Sequence, residues 1–406
     1  MTDYMLVEDL VTERYSMIRA LARQIAEKEI IPVRRQIDND YDHKQIINPL
    51  FQKILIELGI QSGIVGERAT SLVDYCGFAE EIARGDSGIA VALGCTGWCV
   101  IPLQYEPYKR PDLLKELTKV FHENKPHFGC FAMTEPEGGC DIENPHMHGR
   151  KIHTRARLDG DEWVINGAKQ WPSNSGIASL YLTVCTTDPE LGDDGIALIY
   201  VPYPIKGMSF SKFESKAGMQ ADRNCTIYYD DVRVPKRYRA AGPGDDAKLL
   251  HQNLTIGSIS SAAMSIGTAQ NILEIVTEYT SNRIVAGKPI KEHSVNACAL
   301  ADMVIGIETA RTYTLNVAYM LDRPEKYGPL WSPAMLSRAR IAKLYASDVS
   351  ISVANKAMEM MASFGYSRDS DVEKHWRDNK IMQLWLGGAQ LARLDVARHF
   401  CNLQML

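Results

Sequence analysis

Hydrophobic positions recur every three to four residues through most of the first third of the chain, with charged residues between them. This spacing is typical of amphipathic helices, because such positions share one face of a helix. Over 6–35 the pattern predicts one long helix that Pro32 ends or kinks. Further helices are predicted over 45–60, 69–94 and 111–123. We therefore expect an all-α N-terminal domain over 1–127.

The pattern changes after this domain, where short β-rich runs are separated by Gly, Pro and Asp. Asp159, Gly160 and Asp161 have the composition of a hairpin turn, and the alternating run 163–171 predicts the strand that follows. Other strands are predicted over 179–185, 195–203, 208–213 and 224–234. Together they indicate a compact β-domain over 128–243, in the barrel or sandwich class.

Helical spacing then returns in longer segments, with apolar residues again three to four apart. Long helices are predicted over 249–281, 294–321, 335–363 and 377–403. Four long helices with short links predict a four-helix bundle over 244–406. The expected fold class is α+β, with an N-terminal α-bundle, a central β-barrel and this C-terminal bundle.

Composition and charge narrow the classes of function. The net charge of −5 has no basic block, which argues against nucleic-acid binding. The chain has no apolar run of about 18 residues, so no membrane span is expected. Acidic residues in the first thirty positions argue against a signal peptide. Nine cysteines without a CxxC pair favour reduced thiols in a cytoplasm and suggest no metal site. We interpret His146 and His148, which lie in a polar stretch, as exposed side chains.

Two blocks carry the candidate chemistry. The apolar run at the start of 130–141 is stopped by Thr134-Glu135-Pro136, after which two glycines let backbone NH groups face a ligand. The block 163–174 adds a strand with tryptophans at its two ends and an asparagine. Two such loops on one small β region suit a flat aromatic ligand with a phosphate tail.

These blocks resemble the flavin-contacting motifs of the acyl-CoA dehydrogenases, a Thr-Glu-Pro loop and a Gly-x-Lys-x-Trp-x-x-Asn strand. The resemblance covers essentially the whole chain and includes 213–223, 232–235, 283–289, 364–366 and 377–378. It implies the architecture predicted above, bound FAD, an acyl-CoA thioester substrate and electron-transferring flavoprotein as electron acceptor. It also implies a homo-oligomer, which in this family is habitually a tetramer.

By motif position, the resemblance assigns cofactor contacts residue by residue. Along the isoalloxazine edge it places Phe131, Met133 and Thr134, and near the pyrophosphate and CoA phosphates Gly139 and Cys140. It places Trp171 and Ser173 on the strand side of the ring. Arg283 resembles an arginine that reaches the FAD of a neighbouring subunit, and Gln390 resembles a late adenine or ribose contact. Ala286 and Gly388 stand where the family usually has Phe and Thr.

The resemblance also identifies a departure at the catalytic base. The family's base is a Glu at one of two positions, which here are Leu386 and Gly257, the latter followed by Ser258 in place of the usual Arg. Loss of a general base typically costs about 10²–10⁴-fold in rate. Either the protein is not a dehydrogenase, or its base has moved.

One candidate for a moved base lies on the helix that corresponds to the wall of the acyl cavity. Asp86, Ala90 and Gly94 are spaced about one turn apart on it. Our hypothesis is that Asp86 is the relocated base, and the alternative is a structural carboxylate near Arg84. Ala90 replaces the Arg of members with dicarboxylic substrates, which disfavours a charged acyl tail, and the small side chains leave room for a wide one.

A narrower resemblance concerns the segments 142–146, 171–175 and 384–390. They look like the alicyclic acyl-CoA dehydrogenases of anaerobic benzoate and cyclohexanecarboxylate metabolism. The leading hypothesis is 1,4-elimination from cyclohex-1-ene-1-carboxyl-CoA, with a proton taken from C3 and a hydride from C6. The alternatives are 1,2-dehydrogenation of cyclohexanecarboxyl-CoA, a non-dehydrogenating relative of the eliminase or desulfinase type, and a non-catalytic acyl-CoA-binding protein.

Overall fold

The computed structural model describes residues 12–39, 46–66, 70–144 and 151–403. The first helices are α1 (Glu13–Ile25), which continues as a π-helical turn (Ala26–Ile30), α2 (Arg34–Asn39), α3 (Ile47–Phe51), followed by a second π-helical turn (Gln52–Glu57), α4 (Ile60–Ile64), α5 (Leu72–Gly85), α6 (Ser87–Val100) and α7 (Pro111–Leu117). The all-α character predicted for this part of the chain is confirmed. The predicted segments 6–11, 45 and 69 lie outside the described residues.

One predicted helix is in fact two. The segment 69–94 breaks at Asp86, which has extended backbone angles and lies between α5 and α6. Its side chain accepts a hydrogen bond from the Ile89 amide at 2.9 Å, the arrangement of a helix N-cap. Periodicity alone does not reveal this break, because the apolar face continues across it.

The central region forms a curled sheet, a half-barrel, with a short helix α8 (Cys140–Glu143) between its first two strands. Its strands are β1 (Gly129–Ala132), β2 (Arg155–Asp159), β3 (Glu162–Lys169), β4 (Leu180–Thr186), β5 (Ile196–Pro202), β6 (Met208–Phe210) and β7 (Ile227–Pro235). The strand order is β1-β4-β2-β3-β7-β6, with β5 on β4. The predicted hairpin is present, with Asp159 opposite Glu162. The predicted strand 163–171 ends earlier, at Lys169, so that Trp171 lies in the loop beyond it.

The C-terminal helices are α9 (Asp245–Asn282), α10 (Ser294–Leu321), α11 (Pro324–Tyr327), α12 (Pro333–Tyr366), α13 (Asp371–Leu384) and α14 (Gly388–Phe400), with a small hairpin of β8 (Ile284–Val285) and β9 (Lys288–Pro289) after α9. The long helix predicted over 377–403 is two helices, separated by a turn in which Leu386, Gly387 and Gly388 all have positive φ. Helix α9 approaches α5 so closely that a Cβ on Gly267 would lie 1.9 Å from the Glu80 carbonyl oxygen. This contact fixes the bundle against the N-terminal helices.

The observed elements confirm the predicted α+β class with helical N- and C-terminal parts, whereas the domain limits 127/128 and 243/244 stay predictions. None of the described helices is long and apolar enough to cross a bilayer. Among the described residues there is also no cluster of three or more His, Cys, Asp or Glu side chains arranged to hold a metal ion.

Candidate active site

A cavity of about 1260 Å³ lies between the sheet and the two helical parts. Its wall is formed by the Thr-Glu-Pro loop, the segment after β3, the inner faces of α5, α6 and α9, and the turn between α13 and α14. The volume exceeds the roughly 300–1,000 Å³ of most small-molecule sites, so more than one ligand can be accommodated. Most of the residues predicted for the site line this cavity, namely Ala90, Gly94, Phe131, Met133, Thr134, Gly139, Cys140, Trp171, Ser173, Gly257 and Leu386.

The two motif loops are tied to each other by hydrogen bonds. The Thr134 hydroxyl donates to the Gln170 carbonyl at 2.5 Å, and the Gln170 amide donates to the Thr134 carbonyl at 2.9 Å. Beneath them Glu135 forms a buried ion pair with Lys169 at 2.7 Å and accepts from the amide of Thr154. The ion pair of Glu135 with Lys169 therefore holds the two loops in place, and Thr134 and Trp171 on these loops line the cavity.

The residues present fit a flavin. Phe131 and Met133 give an apolar wall, and Trp171, held at φ 69°, leaves 49% of its surface exposed to the cavity region. Gly139 has no atom within 4 Å of the position a Cβ would take, so there is room beside it for a phosphate, and its amide donates to Oδ1 of Asp141 at 2.8 Å. An apolar aromatic wall next to a glycine with free space around it suits an isoalloxazine ring and a pyrophosphate.

Two predicted cofactor residues lie apart from the cavity. Arg283 is exposed at the end of α9, and Gln390 is exposed in the first turn of α14. Neither lines the cavity of its own chain. Their predicted contacts with a cofactor therefore require a second subunit and stay predictions.

Neither of the family's two base positions carries an acid. Leu386 is buried at the cavity wall, and its carbonyl accepts a hydrogen bond from Arg340 at 2.5 Å. At Gly257 a Cβ would lie 1.7 Å from Cζ2 of Trp98, so the indole occupies the space of a side chain there. The Trp98 ring is fixed by a 2.8 Å hydrogen bond from Nε1 to the Asn253 carbonyl.

The catalytic interpretation of Asp86 requires correction. Besides capping α6, its carboxylate lies 2.7 Å from Nζ of Lys374, which also contacts Asp378 at 2.6 Å. Asp86 is 1% exposed and does not line the cavity. Burial acts to raise its pKa, but Lys374 outweighs burial and holds the pKa below its usual range. The geometry thus favours the structural alternative, with Lys374 rather than Arg84 as the partner.

Replacing Asp86 by Asn is expected to leave the rate of flavin reduction within a few-fold of wild type while lowering the melting temperature. Asn is also a good N-cap, but Lys374 would lose one of its two carboxylate partners. Thermal unfolding and rapid-reaction bleaching of the flavin on one preparation would measure both effects. A loss of about 10²-fold in rate at full flavin content would restore Asp86 as the base.

Sequence reasoning missed two buried acids in the cavity wall, Glu143 and Asp222. Glu143 pairs with the fully buried Arg340 at 3.1 Å and contacts the Gly387 amide. Asp222 accepts a hydrogen bond from Ser173 at 3.0 Å. The only local signal was that Glu143 follows the Thr-Glu-Pro motif closely and that Asp222 falls within the family-like segment 213–223.

The N-terminal, middle and C-terminal domain models of acyl-CoA dehydrogenase match residues 12–106, 130–232 and 247–401. The short-chain specific acyl-CoA dehydrogenase of Bos taurus mitochondria is 31% identical over 98% of this chain and 92% of its own length.

Two relatives are named for ring substrates. Cyclohex-1-ene-1-carbonyl-CoA dehydrogenase of Geobacter metallireducens is 26% identical, covering 96% of this chain and 98% of its own length. Cyclohexane-1-carbonyl-CoA dehydrogenase of Syntrophus aciditrophicus is 27% identical, covering 98% of each chain.

Solved structures of related proteins have the same fold as this chain. Butyryl-CoA dehydrogenase of Megasphaera elsdenii superposes with a TM-score of 0.83 at 26% identity, over 98% of this chain and 99% of that one. A chain from a structure titled for the electron transferring flavoprotein of Acidaminococcus fermentans superposes over 100% of both chains, with a TM-score of 0.85 at 25% identity. This protein belongs to the acyl-CoA dehydrogenase family and is an FAD-dependent oxidoreductase acting on CH–CH bonds.

Proposed function

We propose that this enzyme dehydrogenates the CoA thioester of an alicyclic acid, most specifically cyclohex-1-ene-1-carboxyl-CoA, by 1,4-elimination to the 1,5-diene. The proposal depends on one observation, that the cavity wall is apolar at the two positions where the family usually carries its catalytic glutamate. Leu386 stands at one, and the Trp98 indole fills the other above Gly257. An enzyme that removes a proton from Cα needs a carboxylate base at one of these positions, and this chain has apolar groups at both.

The chemistry of the ring thioester explains why these acids can be absent. C1 of the 1-ene thioester is sp² and carries no proton, so a base above it has nothing to remove. The C3 proton is vinylogous to the thioester carbonyl, and its removal gives a dienolate that the carbonyl stabilises. A base for this reaction therefore lies over a different ring carbon.

The other wall of the cavity supports a wide, uncharged acyl group. Ala90 and Gly94 on α6 present almost no side chain, and beyond Gly94 the Tyr75 hydroxyl bonds to Ser260 at 2.7 Å. A Cβ on Gly94 would lie 2.8 Å from that hydroxyl. Because none of these groups is a cation, an acyl group with a second carboxylate finds no partner on this wall.

FAD, when bound, supplies the acceptor for the hydride. Phe131, Met133 and Thr134 would hold the ring from one side and Trp171 and Ser173 from the other, and all five residues line the cavity. The apolar side chains of this wall keep water from the reacting carbons, which strengthens every polar interaction inside.

The proposal extends to partners and setting. Electron-transferring flavoprotein as the acceptor is supported by the family and by the structural neighbour titled for that protein. Homotetramer formation, with Arg283 and Gln390 reaching a neighbouring subunit, a cytoplasmic location and a role in anaerobic degradation of aromatic acids belong to the same proposal.

A second candidate is 1,2-dehydrogenation of the saturated thioester, cyclohexanecarboxyl-CoA. The favouring observation is Glu143, a buried carboxylate beside the Gly387 amide and hence next to the turn that carries Leu386. A carboxylate at this turn is near the place from which the family's usual base reaches Cα.

The FAD-loaded enzyme should be mixed without oxygen with the 1-ene thioester, the saturated thioester and butyryl-CoA, following flavin bleaching and identifying products by mass spectrometry. We expect the 1-ene thioester to bleach the flavin fastest and to yield the diene. Faster bleaching by the saturated thioester would favour the second candidate. No bleaching by any of the three would refute the dehydrogenase proposal and favour an eliminase or a binding protein.

A further inference from the structure

Two hydroxyl groups form a pair in the part of the cavity wall where α5, α6 and α9 come together. Tyr75 on α5 and Ser260 on α9 lie with their oxygens 2.7 Å apart, and both residues line the cavity. Gly94 on α6 lies beside them, because a Cβ there would be 2.8 Å from the Tyr75 oxygen and 3.9 Å from that of Ser260. The wall that these helices contribute is otherwise largely apolar and includes Phe78, Val91, Ile256 and Met264.

Both side chains of the pair are open to the cavity. Every other residue from 252 to 269 of α9 is buried, whereas Ser260 is partly exposed. On α5, Tyr75 and Phe78 are partly exposed and the remaining residues are buried. Beyond Cβ a serine has only its hydroxyl oxygen, and Gly94 has no side chain to cover the pair. The hydroxymethyl group of Ser260 therefore forms part of the surface that a ligand meets.

The pair carries one more hydrogen than the protein uses. Each hydroxyl has one O–H donor and two acceptor lone pairs. Among the described residues, the bond between Tyr75 and Ser260 is the only hydrogen bond that either side chain makes. One O–H thus donates to the other oxygen, and the second O–H has no protein acceptor. Such a donor in a largely buried place costs free energy unless a bound molecule supplies an acceptor.

Ser260 differs in this respect from other hydroxyl residues of its helix. A helical serine or threonine commonly donates to the carbonyl four residues earlier. Four residues of α9 do so, namely Thr255, Ser258, Ser265 and Thr268. No such bond joins Ser260 to the carbonyl of Ile256, which is also a described residue. The hydroxyl of Ser260 is instead held at the cavity by Tyr75.

The surroundings of the pair are uncharged. Burial raises the pKa of the Tyr75 hydroxyl above its usual range, and the other groups that act on it are the Ser260 hydroxyl and the thiols of Cys95 and Cys76. Within the described part of the chain, no lysine or arginine is among these groups. The phenol therefore stays protonated, and the pair suits a neutral oxygen better than a carboxylate, which would be buried without a cation.

We propose that the Tyr75–Ser260 pair recognises an uncharged oxygen on the substrate ring, a hydroxyl or an oxo group, so that the preferred thioester is an oxygenated alicyclic one. This inference rests on the proposed function, which supplies the ring thioester. The second O–H donates to the ring oxygen, and a ring hydroxyl donates in turn to a lone pair of the pair. Tyr75 and Ser260 determine specificity and transfer neither proton nor hydride. A site built to bond an oxygen rejects an analogue that lacks it, because its own donor is then left unpaired.

The test measures binding of aromatic thioesters that the FAD-loaded enzyme cannot oxidise. The probes are benzoyl-CoA, its 3-hydroxy and 4-hydroxy derivatives, and the 3-methyl and 4-methyl derivatives of similar size. Dissociation constants are read from the change in the flavin spectrum. The preference is the dissociation constant of a methyl derivative divided by that of its hydroxy counterpart. At the ring position that reaches the pair, we expect this preference to be about 5–10-fold larger in wild type than in a variant without the two hydroxyls.

That variant is Tyr75→Phe combined with Ser260→Ala, which removes both hydroxyls and changes the shape of the wall little. Benzoyl-CoA should bind to it as tightly as to wild type or more tightly, because an unpaired donor has been removed. A merely structural role of the pair would instead weaken all five thioesters alike. Gly94→Ala is a second variant, in which the added Cβ covers the pair and should reduce the preference although both hydroxyls remain.

Tyr108→Phe is the matched control. It removes a tyrosine hydroxyl that bonds to Asp245 at 2.8 Å and does not line the cavity, so the preference should not change. An equal preference in wild type and in the double variant at both ring positions, or an equal loss in Tyr108→Phe, would overturn the assignment of the pair.

The outcomes separate this proposal from the proposed function. If cyclohex-1-ene-1-carboxyl-CoA bleaches the flavin but the double variant keeps the wild-type preference, the pair does not recognise a ring oxygen and the function stands. If no ring thioester bleaches the flavin while the hydroxy preference depends on the pair, the proposed function has failed and the recognition site remains.

Discussion

Replacing Lys374 by Met is expected to lower the free energy of unfolding by about 3–5 kcal/mol, the cost of removing one partner from a buried ion pair. Lys374 is 3% exposed, and its ammonium group bridges Asp86 and Asp378. Without it two buried carboxylates face each other with no cation between them. Because Asp378 also accepts from the Met219 amide at 2.6 Å, the loss should spread to the loop that carries Asp222 and weaken FAD retention.

The difference in the free energy of unfolding between wild type and Lys374→Met should become smaller as pH falls from about 7 to 5. With Lys374 absent, burial and mutual repulsion raise the pKa of both carboxyls above their unfolded values, near 3.9. The folded variant then binds more protons than the unfolded chain, so its stability increases on acidification. In wild type, Lys374 keeps the pKa of Asp86 low, whereas burial already raises the pKa of Asp378, so the extra gain of the variant on acidification comes mainly from Asp86.

Chemical denaturation of both proteins across this pH range measures the difference. Lys53→Met is the matched control, because Lys53 pairs with Glu57 on the exposed surface at 2.9 Å and its loss should change stability little at any pH. An equal effect of the two replacements, or a deficit that does not depend on pH, would contradict the assigned role of Lys374.

Replacing Gly257 by Ala is expected to cost about 1–3 kcal/mol of stability, the usual penalty of overpacking, and to raise KM for the ring thioester. A Cβ there would meet the Trp98 ring at 1.7 Å, so the indole must move. Its neighbour on the cavity side is Phe131, with ring centroids 5.4 Å apart. The displaced indole therefore narrows the space in which flavin and substrate meet.

A double-mutant cycle checks this explanation. In a Trp98→Ala background the Gly257→Ala change should cost almost nothing, since the colliding ring is gone, and the two effects should be strongly non-additive. For stability alone, Gly97→Ala is a control: it lies in α6 with no atom within 4 Å of its Cβ position, and the higher helix propensity of Ala should make it neutral or stabilising. Additive effects in the cycle would show that Trp98 is not the obstacle.

Periodicity was sufficient for elements whose signal is local. The predicted helix over 294–321 and the hairpin turn at 159–161 agree with α10 and the β2–β3 connection. It was insufficient at Asp86 and at Leu386, where single predicted helices are each broken in two. At Asp86 the break coincides with a cap onto the Ile89 amide and an ion pair with Lys374, and at Leu386 with two glycines at positive φ and a hydrogen bond from Arg340. Periodicity contains no sign of either remote partner.

The same distinction applies to the site. The motif residues of the two loops could be predicted because neighbours in sequence are neighbours in space, and they do line the cavity. Asp222 and Glu143 could not, because their partners Ser173 and Arg340 come from distant segments. Asp86 was chosen for its spacing along one helix face, and spacing does not show that a cap turns a side chain back onto its own helix.

The indole above Gly257 limits which side chains this position accepts. A glutamate introduced at 257 collides with Trp98, and one introduced at 386 adds a second carboxylate beside Glu143. An attempt to engineer a carboxylate base at position 257 therefore has to replace Trp98 as well, and one at position 386 has to accommodate the charge of Glu143.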